Sequence, residues 1–168
     1  MDQALEYRTF TYDTRHYWDL TRGNTLATRV LVGRSDGNNP QTFQIGGFST
    51  LRGYPDYSIL GSRVMLANLE FRFPFIQQLG VVGPLPLGLF NLRGVGFLDL
   101  GSAWYAGTAP PLTVDIDGHR RLSALKMGFG TGIRTTMFFM IFKLDAAWRT
   151  DLVDVSQPRW MFSIGPEF

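Results

Sequence analysis

The sequence contains no cysteine among its 168 residues, and only 18% of the residues are charged. The lack of cysteine excludes a disulfide scaffold, a thiolate zinc site and a thiol nucleophile. The charged fraction lies below the usual value of about a quarter, which argues against a disordered, solvating tail. The 16 basic and 14 acidic residues are interspersed, the net charge is +2, and no basic block stands out. We therefore expect no nucleic-acid partner.

Long hydrophobic runs are also lacking. The densest apolar run spans residues 137–142, whereas a membrane-spanning helix needs about 20 apolar residues. Pro84 and Pro86 interrupt the apolar stretch at 81–90, so a spanning helix does not fit there either. Residues 1–6 have neither the basic nor the apolar region of a secretory signal peptide. These patterns predict neither a spanning helix nor a signal peptide.

Motifs of catalytic and metal sites are scarce. His16 and His119 stand apart, without HxxxH or HExxH spacing, and no Gly-x-Ser-x-Gly motif occurs. Asp115 and Asp117 precede Gly118 as in a calcium loop, but the glutamate that completes an EF-hand is missing. A solvated loop is the favoured interpretation of that segment. We expect that the protein is not an enzyme and uses no metal or cofactor.

Apolar residues alternate with period two rather than with a helical period, which predicts an all-β chain. The alternation is clearest over residues 125–134, where one face is apolar. The opposite face carries small or charged residues: Lys126, Gly128, Gly130, Gly132 and Arg134. Similar patterns predict about seven strands: 4–20, 25–34, 62–75, 91–106, 123–135, 138–150 and 159–168.

Short and long connections between these strands alternate, apart from a long apolar link at 76–90. The short links are 21–24 and 136–137, and the long polar links are 35–61, 107–122 and 151–158. Alternating links, strands of about ten residues and a polar face of glycines and charges are typical of an antiparallel transmembrane β-barrel. The glycine row would line its lumen as a face of small residues. A soluble barrel with a bulge-prone glycine strand is the alternative.

Three local patterns stand out against this background. They are GGFSTLRGY at 46–54, FLDLG at 97–101 with NLEFR at 68–72 on the preceding strand, and WMFSIGPEF at 160–168. By these motifs, nearly the whole chain resembles the C-terminal barrel of the BamA/TamA outer-membrane assembly factors, also called the bacterial surface antigen family. That family carries a Val/Leu-Arg-Gly-Phe/Tyr motif in a long loop that folds back into the barrel.

The resemblance implies two groups of site residues. Arg52 carries a planar fork that binds carboxylates bidentately, and Glu70 and Asp99 lie on the polar side of adjacent predicted strands. The resemblance implies that these three residues lock the loop inside the barrel. From the residues alone, a solvated Arg52, with both acids paired to Arg72 or Arg93, stays open. The implied loop-lock residues are Arg52, Gly53, Tyr54, Glu70, Asp99 and Gly101, and the implied C-terminal assembly signal is Trp160, Phe162, Ile164 and Phe168.

The resemblance also implies a location and a function. Family members insert β-barrel proteins into the bacterial outer membrane or move polypeptides across it. Outer-membrane lipids, unfolded outer-membrane proteins and other assembly components are therefore the expected partners. A passive outer-membrane anchor or pore attached to another domain is the alternative.

Family barrels have sixteen strands behind periplasmic transport-associated domains, whereas residues 1–168 predict one barrel domain of about seven strands and no such domain. Three interpretations follow for this difference. The chain is part of a longer barrel that supplies the missing N-terminal strands. Alternatively, it is a reduced barrel that closes with an extra strand from 1–20 or 76–90, or a barrel that closes by self-association.

Overall fold

A computed structural model describes residues 6–79, 89–137 and 140–165 of the chain. The secondary structure of this part consists of eleven β-strands and a short 3-10 turn at Thr21–Gly23, so the prediction of an all-β chain is confirmed. The strands are β1 (Tyr7–Asp19), β2 (Thr25–Gly37), β3 (Phe43–Ile45), β4 (Ile59–Gly61), β5 (Arg63–Leu79), β6 (Leu89–Trp104), β7 (Thr113–Ile116), β8 (His119–Leu122), β9 (Lys126–Met137), β10 (Met140–Thr150) and β11 (Arg159–Ile164). No helix in these ranges is long and apolar enough to cross a membrane.

Seven of the strands form one antiparallel sheet in the order β1-β2-β5-β6-β9-β10-β11. These seven correspond to the seven strands predicted from the alternation, with shifted ends. Both ends of the link predicted at 76–90 are strand, since β5 continues to Leu79 and β6 begins at Leu89. The rest of that link lies outside the described residues.

Two short hairpins were missed, so the prediction of about seven strands is wrong for the described chain as a whole. The β3–β4 hairpin lies within the predicted link 35–61, and the β7–β8 hairpin within 107–122. Strands of three or four residues are too short to show an alternation. Asp117 and Gly118 both have positive φ, at 51° and 76°, and form the two-residue turn between β7 and β8. The Asp-Gly pair that resembled part of a calcium loop is therefore a hairpin turn.

The seven-stranded sheet is not closed into a barrel within the described residues, because β1 and β11 are both edge strands. All neighbouring strands are antiparallel, so the first and the seventh run in the same direction. Pairing them would introduce a parallel seam, whereas antiparallel closure requires an even number of strands. The predicted barrel is corrected to an open sheet.

The two faces of the sheet differ in chemistry. Residues 38–62, which we call the inner loop, connect β2 to β5 and cover one face, the inner face. Buried polar side chains lie there: Arg29, Asn68, Glu70, Arg72, Asp99, Arg134, Lys143 and Asp145. The opposite, outer face exposes large apolar side chains: Phe10, Tyr12, Val30, Val32, Leu69, Phe71, Ile133, Leu144, Trp160, Phe162 and Ile164. An apolar outer face and a polar inner face are what a sheet in contact with lipid requires.

An ion-pair cluster joins the β7–β8 hairpin to the loop after β10. Nη1 of Arg121 lies 2.7 Å from Oδ2 of Asp151 and 2.5 Å from Oδ2 of Asp154. Asp151 also accepts hydrogen bonds from the backbone N–H groups of Val153 and Asp154. These backbone hydrogen bonds first, and the Arg121 guanidinium second, lower the pKa of Asp151 to about 2.

A pH dependence of this loop follows. A carboxyl group whose pKa is lowered in the folded loop stabilises the loop at pH values above the ordinary pKa. This stabilisation is lost as the pH falls through the lowered pKa. We expect the Asp151 contacts to persist at pH 5 and to fail between about pH 4 and about pH 2. Hydrogen exchange of residues 151–158, corrected for intrinsic exchange, measures the change. The control Asp151→Asn should exchange fast throughout, and a wild-type midpoint near pH 4 would contradict the expectation.

Candidate functional site

The tip of the inner loop is a closed turn that presents Arg52 to the sheet. Gly46 and Gly47 both have positive φ, at 118° and 86°. Thr50 Oγ1 accepts a hydrogen bond from Gly46 N–H and donates one to Gly46 O, both at 2.9 Å. Leu51 is fully buried next to Arg52. The turn therefore holds the arginine at the inner face by local bonds as well as by its own side chain.

Arg52 lies between two carboxylates of adjacent strands. Its Nε and Nη2 donate to Oδ2 and Oδ1 of Asp99, on β6, at 2.7 and 2.9 Å. Its Nη1 donates to Oε2 of Glu70, on β5, at 2.6 Å. The guanidinium carbon also lies 3.6 Å from the centroid of the Phe97 ring. Arg52 is only 3% exposed, so the loop is held by a buried, bidentate ion pair.

The charge of Arg52 is maintained despite its burial. Burial by itself lowers the pKa of the guanidinium, but the hydrogen bond to Asp99 and the charges of Asp99 and Glu70 outweigh this effect. The pKa of Arg52 consequently lies above its ordinary value. Arg52 is therefore a permanent cation.

Further polar groups complete the binding of both acids. Asn68 donates through Nδ2 to Oδ1 of Asp99 at 2.7 Å and to the backbone oxygen of Thr50 at 2.6 Å. Arg72 donates through Nε to Oε1 of Glu70 at 2.7 Å. Glu70 is thus shared between Arg72 and the loop arginine, which combines the two pairings that the sequence left open.

A second ion pair extends the cluster toward the end of the chain. Arg134, on β9, donates through Nη2 to Oδ2 of Asp145, on β10, at 2.9 Å, and its Nη1 contacts Oδ1. Asp145 Oδ2 lies 3.7 Å from Nη1 of Arg52, and Arg134 Nη2 lies 3.8 Å from Oε2 of Glu70. The alternation pattern did not predict this pair, although both residues lie on the polar face of their strands. The acids Glu70, Asp99 and Asp145 and the arginines Arg52, Arg72 and Arg134 form one buried network, which we call the ion cluster.

Glycines make room for the loop. A Cβ atom on Gly128 would lie 2.0 Å from the backbone oxygen of Arg52. Gly53 has a φ of 90° and lies against the backbone of Trp148. Gly101 is also tight, since its Cβ would lie 3.1 Å from the side chains of Ile45 and Leu66. Gly128 and Gly53 are thus places where the inner loop passes close to the sheet.

The other predicted site residues lie farther from the ion cluster. The Tyr54 hydroxyl donates to the backbone oxygen of Met127 at 3.5 Å, and the Arg149 guanidinium lies 5.5 Å from the Tyr54 ring centroid. Trp160, Phe162 and Ile164 are exposed on the outer face of β11. Phe168 lies outside the described residues.

A model of the Omp85 superfamily domain matches residues 1–168. The chain therefore belongs to the Omp85 superfamily, whose members are outer-membrane proteins, and the resemblance to the BamA/TamA family is confirmed. No match among curated proteins is found.

Proposed function

We propose that the chain is an outer-membrane module that assembles β-barrel proteins into the membrane, and that further strands complete its sheet. The Arg52 contacts carry the proposal, since they hold a long loop against a polar face that a barrel would enclose. Superfamily membership and the apolar outer face support a location in the outer membrane. In this proposal the insertion of a β-barrel protein needs no nucleotide, because pairing between strands supplies the free energy.

The last described strand has the features of an edge that exchanges partners. β11 covers six residues, whereas its neighbour β10 covers eleven. Trp160 and Phe162 on β11 are 69% and 64% exposed. An unpaired strand edge is a template for another strand, and a short edge strand opens at low cost. These properties support assembly at the β11 edge.

Strand direction favours completion of the barrel by additional strands over a reduced barrel and over closure by self-association. A reduced barrel would need an extra strand from 1–20 or 76–90, but Tyr7–Asp19 is already β1 and both ends of 76–90 belong to β5 and β6. Without that strand, closure would pair β1 with β11, which run in the same direction. A ring of copies that share one membrane orientation would pair β11 of each copy with β1 of the next, again in parallel. An odd number of further antiparallel strands avoids such a seam and satisfies the backbone groups that hydrocarbon cannot.

Closure is tested by gel migration of cold and boiled samples after the chain is refolded into lipid vesicles. We expect no compact band at the mass of one copy or of a multiple. A heat-dependent shift at monomer mass would instead support a reduced barrel. A shift at a multiple of that mass would support closure by self-association.

Assembly activity is tested in vesicles that contain the chain together with the further strands that complete its sheet. An unfolded eight-stranded outer-membrane protein is added, and its heat-modifiable band is followed over time. We expect faster folding than in protein-free vesicles, and we expect Arg52→Ala to remove the gain while Arg34→Ala, at an exposed ion pair, retains it. Equal rates with and without the wild-type chain would refute the proposal and leave the passive anchor.

A further inference from the structure

Phe48, on the inner loop, packs against an apolar cluster that includes a residue of the last strand. The buried apolar side chains Val95, Phe97, Ala147 and Met161 form one cluster, and Phe48 packs against it. Met161 is the only buried residue of β11, at 9% exposed. The inner side of the last strand is therefore held by an apolar contact that includes the loop.

Two buried cations fix the position of the Phe48 ring. Nζ of Lys143 lies 5.2 Å from the ring centroid, and the guanidinium carbon of Arg134 lies 5.7 Å from it. Lys143 is the register partner of Ser163 on β11, and Arg134 belongs to the ion cluster. Cations at this distance over an aromatic face are attracted by its quadrupole. The ring thus touches both the ion cluster and the strand pair at the edge of the sheet.

A groove separates the loop from the free edge. Its volume is about 230 Å³, and Phe48, Asp56, Arg159 and Met161 are among the residues that line it. Among the described residues, β11 has a strand partner only in β10. A strand with one neighbour and one buried side chain opens locally at low free energy. Its opening is therefore sensitive to whatever covers Met161.

We propose that Phe48 is a positioning residue that couples the Arg52 lock to the opening of β11. When Arg52 is bound, the loop tip keeps Phe48 on the apolar cluster and β11 stays paired with β10. When the tip is released, Phe48 leaves and β11 frays. The coupling deepens the proposed assembly function, because it makes the inner loop a regulator of the edge at which strands exchange.

The lack of native cysteine allows a direct test. Ser163→Cys places a single thiol on the inner side of β11, where Ser163 is partly exposed. The rise of its labelling rate in lipid vesicles above that of the closed strand therefore reports how often the strand opens. We expect Phe48→Ala to raise that rate about tenfold and Phe48→Leu to raise it less, since leucine keeps apolar contact without the ring. Phe43→Ala is the matched control, because Phe43 lies on the same loop but its ring lies next to Gly33, on β2. Equal labelling in Phe48→Ala and wild type, or an equal rise in Phe43→Ala, would overturn the proposal.

A double-variant comparison separates coupling from general loosening. Arg52→Lys should raise labelling at Ser163→Cys when Phe48 is present and add nothing to Phe48→Ala. Additive effects of the two substitutions would overturn the coupling. The thiol measurement needs no assembly activity, so its failure leaves the proposed function standing. Conversely, coupled labelling in a chain that does not accelerate folding would refute the proposed function alone.

Discussion

Replacing Arg52 by alanine is expected to release the inner loop and to destabilise the sheet strongly. The substitution leaves Asp99 and part of Glu70 buried without their cation, and both carboxylates are almost fully enclosed. Breaking a buried ion pair on one side typically costs about 3–5 kcal/mol. The free energy of unfolding, measured by urea titration and tryptophan fluorescence in lipid vesicles, should fall by about that amount.

Loop release has its own readout. Chymotrypsin cleaves after aromatic residues, and Phe48 is protected by the cluster against which it packs. We expect Arg52→Ala to make Phe48 an early cleavage site and Arg52→Lys to do so partially, since lysine keeps the charge but loses the fork. Arg34→Ala is the control, because the Arg34 side chain is 63% exposed in its pair with Asp36. This substitution should lower the free energy of unfolding by under about 1 kcal/mol. Similar decreases in the free energy of unfolding for Arg52→Ala and Arg34→Ala would show that burial of the Arg52 ion pair does not add to stability.

Adding one methyl group at Gly128 is expected to push the inner loop away from the sheet. A Cβ there would lie 2.0 Å from the backbone oxygen of Arg52, an atom that cannot rotate away. Overpacking of this kind costs about 1–3 kcal/mol. Gly128→Ala should therefore lower the free energy of unfolding by that amount and expose Phe48 to chymotrypsin, although Arg52 itself is unchanged.

A second strand glycine provides the matched control. Gly96, on β6, has no atom within 4 Å of an added Cβ. Gly96→Ala should be neutral or stabilising by up to about 1 kcal/mol, because alanine loses less backbone entropy than glycine on folding. If both alanines had the same effect, the close passage of the loop over Gly128 would not be a source of stability.

The seven strands of the main sheet and the two faces of that sheet were determined by the sequence itself. Period-two alternation reports which side chains share a face, and a run of ten or more residues is long enough to show it, as in β9. The same pattern placed Glu70 and Asp99 on the polar side of adjacent strands. The motif around Arg52 added the expectation that a loop arginine reaches them.

The partners within the ion cluster were decided only by the tertiary structure. Asp145 and Arg134 meet because β9 and β10 pair in one register, with Asp145 opposite Gly132. Register depends on all the cross-strand contacts together, so no local pattern names such a pair. The contact of Phe48 with the apolar cluster is likewise set by the path of the inner loop.

Closure of the sheet and the two short hairpins also lay beyond the sequence pattern. Alternation predicts the existence of each strand but not whether an edge strand has a partner, because an edge and an interior strand can carry the same side chains. Strands such as β3 and β7 contain three and four residues, which is at most two periods of alternation. The sequence thus determined the faces and the charges, and the tertiary structure decided which of them meet, because meeting depends on register and loop path rather than on local composition.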